Sequence, residues 1–318
     1  MRSKIPFDRA QDTPFFIVNP NSGGGKTGRF WKKILPEVRK VLGAHEAVLT
    51  GGPADATRKA RQALNQGYRR LVAVGGDGTL NEVLNGCFQE GKPIDSDIEL
   101  AVFSSGSGED FAKSLRWPHD PLQALCRLKE RKLIPVDAGR VTYFASSERQ
   151  ETRYFINIAD FGLGARVMRG VNASKKLFGS QLTYLYHSVR SLLHYRKVSV
   201  VLEFGGKTLP FPEIVIGIIA NGKYFGRGLC VAPEADLSDG LFNMILVEGA
   251  GAGDFLKWLP KLYRGQKIEG KRIHRFKTDK IVVRSEGAEP VLIVTDGEQP
   301  GGLPATFEIV PKALKVCV

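Results

Sequence analysis

The chain has 318 residues, 42% hydrophobic and 25% charged, a composition that supports folded domains, about two by length, and excludes an intrinsically disordered protein. Its 46 lysines and arginines against 33 aspartates and glutamates give a formal charge of +13. That excess favours anionic partners, whether nucleic acid, acidic lipid headgroups or phosphorylated ligands. Cys87, Cys126, Cys230 and Cys317 lie far apart with no CxxC pair, which argues against a clustered-thiol zinc or redox site and for reduced thiols in a cytosolic protein.

Residues 1–9 lack the apolar region of a secretory signal, and the longest strongly apolar run, 214–220, is far short of a membrane span. Residues 15–18 read as a short buried strand ending at Asn19-Pro20. After a glycine-rich turn, Trp31, Ile34, Leu35, Val38, Val41 and Leu42 recur at helical spacing, with Pro36 as a kink or a shifted start. A strand at 47–49, a helix at 56–64, a strand at 71–74, a helix at 80–88 and a strand at 100–103 follow. This alternation predicts an α/β N-terminal domain, a parallel sheet with helices on both faces.

Beyond about Pro135 the pattern changes. Strand-like runs at 154–159, 198–204, 214–220, 241–247, 280–284 and 291–294 are interrupted only by helical regions near 164–194 and 254–264. A mostly antiparallel, β-rich C-terminal domain is expected, with the boundary near residue 136.

The strongest local signal is Gly75-Gly76-Asp77-Gly78-Thr79-Leu80-Asn81-Glu82, between a strand and a helix. Glycines let backbone N–H groups approach phosphate oxygens, and the helix N-terminus adds partial positive charge. Asp77 would repel phosphate unless a cation or a ribose hydroxyl intervened, which hints at Mg²⁺; a plain tight turn with Thr79 as N-cap is the alternative. Upstream, Asn19-Pro20-Asn21-Ser22-Gly23-Gly24-Gly25-Lys26-Thr27 fails as a Walker A loop because its first glycine would fall on Pro20. It can still bind phosphate through backbone amides or serve as a flexible turn. A third loop, Ser104 through Gly106-Ser107-Gly108-Glu109-Asp110 to Phe111, follows the fourth strand. All three sit at the C-terminal ends of predicted parallel strands, where open α/β sheets bind ligands.

In the second half, Pro233-Glu234-Ala235-Asp236-Leu237-Ser238-Asp239-Gly240-Leu241 offers carboxylates and carbonyls to a hard cation, or is a solvated hairpin loop. Asp296-Gly297-Glu298 follows an apolar run, as a general base for a hydroxyl nucleophile would, or as a turn. His187 and His194 are seven residues apart on a helix, roughly 10 Å, too far to share a metal.

In order, these segments resemble the diacylglycerol kinase catalytic family, in particular the soluble bacterial YegS-like lipid kinases. The resemblance runs through NPNSGGGK, Thr50 in LTGGPADA, GGDGTLNEVLNG, VDAGRV, FINIADFGLGA, APEADLSDGL and DGE. It implies ATP as cofactor, held by Asn19, Pro20, Asn21, Ser22, Gly23, Thr50, Gly75, Gly76, Asp77, Gly78, Thr79 and Ser107. It implies a structural Mg²⁺ on Asp236, Asp239 and Leu241, partly through carbonyl oxygens. The proposed base falls on Glu298 first and Asp296 second. The last strand, near 306–310, would return to the first domain, so residues 1–136 with about 305–318 form the ATP-binding domain, and 137–304 hold the lipid acceptor and metal site.

One departure stands out: the family's GTGNDFA is here Gly106-Ser107-Gly108-Glu109-Asp110-Phe111-Ala112. Glu109 places a carboxylate where the family has a neutral amide, which sits badly beside a triphosphate unless paired or metal-bound.

The resulting expectation is an ATP-dependent phosphotransferase acting on a hydroxyl of diacylglycerol or a related lipid. It would be cytoplasmic and peripheral to the membrane, with no nucleic-acid partner; the resemblance allows a homodimer. An NAD kinase, which shares the GGDG loop, and a non-catalytic lipid or nucleotide sensor are the rivals. Residues 255–264, mixing Phe255, Trp258, Leu259, Leu262 and Tyr263 with Lys257, Lys261 and Arg264, read as a basic amphipathic segment for anionic lipid or as an ordinary surface helix.

Overall fold

The computed structural model describes residues 10–104, 109–145, 149–173, 180–287 and 289–318. The chain divides into two compact units, Met1–Asp137 with Pro311–Val318, and Ala138–Val310.

In the first unit, β1 (Pro14–Val18), β2 (Glu46–Leu49), β3 (Arg70–Gly75) and β4 (Glu99–Ser104) alternate with α1 (Ser22–Leu42), α2 (Asp55–Asn65) and α3 (Asp77–Gly86). The strands lie parallel in the order β4-β3-β1-β2. All five residues of β1 are buried, as a strand covered on both faces requires. Trp31, Ile34 and Val38 of α1 pack on Phe16, Val72 and Phe103. Pro36 lies exposed inside α1, which runs on through it. Two short helices then follow, α4 (Asp110–Ser114) and α5 (Pro121–Glu130). The second begins with Asp120 accepting the Gln123 N–H at 2.9 Å and Pro121 in its first turn, a start signal visible in the sequence but absent from the expected elements.

β5 (Leu133–Phe144) carries the chain from the first unit into the second, which contains β6 (Gln150–Phe155), β7 (Ile158–Gly162), α6 (Leu163–Ala173), α7 (Ser180–Leu193), β8 (Val198–Phe204) and β9 (Lys207–Ala220). β10 (Phe242–Glu248), α8 (Ala252–Tyr263), β11 (Ile273–Thr278), β12 (Lys280–Ser285) and β13 (Ile293–Thr295) follow, and β14 (Gly302–Cys317) brings the chain back to the first unit. Within the second unit the order is β11-β10-β9-β8-β12-β14, antiparallel throughout. β7 also pairs with β9, and β13 with β7. The C-terminal end of β14 pairs parallel with β4 through Lys315 and Val316. Asp137, fully buried, accepts the Lys312 N–H at 2.6 Å in the same unit.

The run 154–159 expected as one strand is two. It breaks at Ile156-Asn157 because those backbone N–H groups turn to a side chain instead of a ladder partner. Alternation along β7 feeds two cores: Ala159 and Phe161 join Phe155, Phe242 and Phe307, while Ile158 joins Val167, Ile218 and Ile245 beneath α6, α7 and α8. Cys87, Cys230 and Cys317 are buried free thiols, and burial pushes the Cys87 thiol up to about 12.

Two cross-strand pairs set a phenylalanine ring over a glycine: Gly139 opposite Phe155, and Gly217 opposite Phe161. A Cβ on Gly217 would lie 2.0 Å from the Phe161 ring. Gly217→Ala is therefore expected to lower unfolding free energy by about 1–3 kcal/mol through overpacking. Chemical denaturation measures this; a loss near zero would mean that the ring shifts freely.

Candidate active site

In the first unit the loops after β1, β2 and β3 come together at the C-terminal edge of the parallel sheet. Asn19 donates from Nδ2 to Thr79 Oγ1 at 3.1 Å, and its backbone N–H reaches Val74 O at 2.9 Å. The Thr50 N–H reaches Val18 O at 2.8 Å. Asn19 Oδ1 accepts the Asn21 N–H at 3.1 Å, and a Cβ on Gly76 would sit 3.6 Å from Ser22 Oγ. Gly23, Gly24 and Gly25 have φ of 62°, 68° and 81°. Three consecutive left-handed residues are accessible at low cost only to glycine; the Gly25 N–H closes the turn on Asn21 O at 3.1 Å, and no side chain stands in the way of the N–H groups of Gly23 and Gly24. Pro20 lies in the same turn, with its carbonyl accepting the Gly28 N–H at 3.1 Å.

The acidic residues of these loops are occupied by backbone. Asp77 Oδ2 accepts the Asp110 N–H at 3.2 Å, tying the GGDG loop to the start of α4. Burial, opposed by the N–H donors of Asp110 and Phe111, holds the Asp77 carboxyl above the usual carboxylate range. Glu82 accepts the N–H groups of Ala54 and Ala56, both at 3.0 Å, capping α2 just beyond Thr50. The NEVLNG continuation of the motif is thus a packing element, and a Cβ on Gly86 would fall 2.6 Å from Ala60 Cβ. Glu109 has its carboxylate 3.8 Å from Nδ1 of the exposed His119 imidazole. Ser107 lies outside the described residues.

In the second unit Asp296 is nearly buried and accepts three backbone N–H groups, from Ile156 at 2.9 Å, Asn157 at 3.1 Å and Ile158 at 3.0 Å. Its φ of 47° and the 87° of Gly297 close a turn in which Thr295 and Glu298 exchange backbone hydrogen bonds of 2.8 and 2.9 Å. This leaves the Glu298 side chain exposed. The two carboxylates of DGE are therefore unlike: Asp296 is bonded into the fold, and Glu298 faces solvent.

In the acidic turn, Asp236 Oδ1 accepts from the Ser238 N–H and hydroxyl, both at 2.9 Å. Asp239 accepts the Leu241 N–H at 3.0 Å and meets Lys277 Nζ at 3.2 Å. Among the described residues no three His, Cys, Asp or Glu side chains cluster as metal ligands. The turn offers hard oxygen donors of the type a divalent cation takes, but a coordination shell here would need backbone oxygens such as that of Leu241 and displacement of Lys277.

Sequence reasoning passed over Asp160 of β7. It is 1% exposed, Oδ1 has no hydrogen-bond partner among the described residues, and burial pushes its carboxyl up to about 8. Gly164 is glycine for this reason, since a Cβ there would lie 1.8 Å from Asp160 Oδ1. A carboxylate inside the mostly apolar FINIADFGLGA segment was the available signal.

An α/β unit with glycine loops at its strand ends, followed by an antiparallel β-rich unit, is the fold of the diacylglycerol kinases and NAD kinases of known structure. Two family models match: "Diacylglycerol kinase catalytic domain" over residues 13–141 and "YegS C-terminal NAD kinase beta sandwich-like domain" over residues 157–318. The chain belongs to the YegS-like diacylglycerol kinase family and is a lipid kinase, a phosphotransferase with an alcohol acceptor. It is 28% identical over 291 residues to a diacylglycerol kinase of Staphylococcus carnosus (strain TM300), covering 92% of this chain and 90% of that one. A putative diacylglycerol kinase from Bacillus anthracis str. Sterne shares the fold with a TM-score of 0.76 at 22% identity, over 96% of both chains. The NAD kinase of Archaeoglobus fulgidus is more distant, with a TM-score of 0.51 at 15% identity over 96% of this chain and 94% of that one.

Asp160 generates a signed pH dependence. Unfolded, its carboxyl ionises near the ordinary carboxylate value; folded, it holds its proton up to about 8. Between those values the native state binds more protons, so this group's contribution is complete at low pH and is lost as pH rises toward 8. Asp160→Asn is expected to raise Tm relative to wild type more at pH 8 than at pH 5. An equal change in Tm at both pH values would contradict the buried, protonated acid.

Proposed function

We propose that the chain transfers the γ-phosphoryl group of ATP to a hydroxyl of diacylglycerol or a related lipid. The observation that carries this reading is an apolar cavity of about 120 Å³ in the second unit, lined by Val167, Tyr184, Leu192, Ile218, Phe225 and Trp258 among others. Such a lining suits a hydrocarbon chain and offers little to the ribose and phosphates of NAD, which favours the lipid over the NAD kinase reading.

The turn at Gly23 and Gly24 and the loop from Gly76 to Gly78 supply backbone N–H groups to the donor's phosphates. Asp77 contributes by holding the next loop in place. Glu298 accepts the proton of the lipid hydroxyl, and Asp296 is the positioning residue that locks the turn presenting it. Asp236, Asp239 and the Leu241 carbonyl would hold Mg²⁺, whose charge would stiffen the acidic turn. Most of the rate then comes from alignment and charge stabilisation.

Two measurements test this. Glu298→Gln is expected to lower kcat by about 10²–10⁴ with an unchanged Tm; near wild-type transfer of labelled phosphate from Mg·ATP to detergent-dispersed lipids would remove Glu298 from this role, and label on NAD alone would restore the NAD kinase reading. With monomeric short-chain diacylglycerols, each methylene entering the cavity should raise kcat/KM about fourfold, from about 0.8 kcal/mol of burial. A flat chain-length series would mean that the acyl chain lies elsewhere.

A further inference from the structure

Helix α7 carries its polarity the wrong way round for a surface helix. Thr183, Tyr184, Ser188 and Ser191 are buried, while Leu182, Tyr186 and Leu193 are 62%, 58% and 66% exposed. The exposed three fall at i, i+4 and i+11, one stripe of the helix. Arg190 completes that stripe and donates to Tyr186 Oη at 3.5 Å.

On α8, Leu256 and Tyr263 are 49% and 45% exposed, with exposed Pro260 between them in a stripe at i, i+4 and i+7. Directly beside it runs a second exposed stripe, Lys257, Lys261 and Arg264. The only carboxylate in α8, Asp254, is turned to the Gly251 N–H at 3.0 Å and to the Arg272 guanidinium. From Phe161 to Leu202, a stretch that includes all of α6 and α7, the sequence contains no aspartate or glutamate.

The two helices touch, and both cover the core cluster that contains the apolar cavity. Tyr184 and Leu192 of α7 and Phe255, Trp258 and Leu262 of α8 point into that core, so each exposed stripe lies on the side of its helix turned away from the cavity. We infer that this face docks on an anionic phospholipid bilayer, with Leu182, Tyr186, Leu193, Leu256 and Tyr263 entering the boundary between headgroups and acyl chains while Lys257, Lys261 and Arg264 meet the headgroups. The inference rests on the lipid-acceptor reading of the cavity, and adds to it the surface from which the lipid arrives.

Charge complementarity selects this occupant. Pairing two copies through this face would oppose the lysine and arginine stripes of α8. A nucleic acid would satisfy the cations but leave the apolar stripes against water. An anionic bilayer satisfies both, since buried apolar area and headgroup attraction act together.

The test is sedimentation of the full chain with phosphatidylcholine vesicles, with and without phosphatidylglycerol, and a separate assay on monomeric short-chain diacylglycerol. Wild type should bind the anionic vesicles more tightly, with salt weakening the interaction. The Lys257→Gln, Lys261→Gln, Arg264→Gln triple variant should lose about fivefold in affinity per cation removed, on anionic vesicles only. The Leu182→Ser, Tyr186→Ser, Leu193→Ser triple variant should weaken binding to both vesicle types.

None of these residues lines the cavity, so turnover of the monomeric substrate should stay within about twofold of wild type in both triple variants. Vesicle binding unchanged in both variants, or no vesicle binding by wild type, would overturn the proposal. A wild-type dimer that the serine variants dissociate would assign the face to self-association instead. Loss of the lipid-acceptor reading would look different: no turnover of any lipid, with vesicle binding and its response to the variants intact.

Discussion

A buried carboxylate without donors is among the most costly arrangements a protein can hold, and the turn around Asp296 is organised by the need to avoid it. Three consecutive backbone N–H groups, from Ile156 to Ile158, converge on that one side chain. Taking those amides out of the ladder splits β6 from β7, and β7 then pairs with β9 on one side and β13 on the other. The same bonds fix the sharp turn that leaves Glu298 exposed. Strand break, register and presentation of the candidate base are consequences of one interaction.

The first unit uses its acids in a related way. Asp77 and Glu82 belong to the motif that a phosphate-binding reading would put next to the donor, yet both spend their oxygens on backbone amides of neighbouring segments. A carboxylate engaged by N–H groups presents less negative charge to a phosphate than an open one. The loops therefore divide labour: glycines leave amides exposed, and acids hold the loops against one another.

Asp160 is the counter-example, a buried acid with one oxygen left without a partner. It stands on the same strand whose N-terminal residue donates to Asp296, so one strand serves two buried acids, Asp160 on the strand and Asp296 in the turn after β13, that differ in their hydrogen bonding. Asp296 accepts three backbone N–H groups, whereas Asp160 keeps one oxygen without a partner, and burial pushes its carboxyl up to about 8.

The sequence by itself determined the class of fold and the places where chemistry could occur. Unbroken apolar runs such as 71–74, alternating with helical patterns, suit strands of a sheet covered on both faces, glycine runs such as Gly23-Gly24-Gly25 can relieve left-handed turns, and the order of motifs marked the family. Local pattern cannot report partners distant in the chain. That Asp296 would be bonded across 138 to 140 residues to Ile156–Ile158, that Glu82 would cap a helix 26 residues upstream, and that Leu182 and Tyr186 would face outward while Ser188 faced in, were decided only by tertiary structure. The reason is that hydrophobic periodicity encodes how apolar side chains are sorted, whereas the fate of a polar group depends on which donors the completed fold brings within hydrogen-bonding distance.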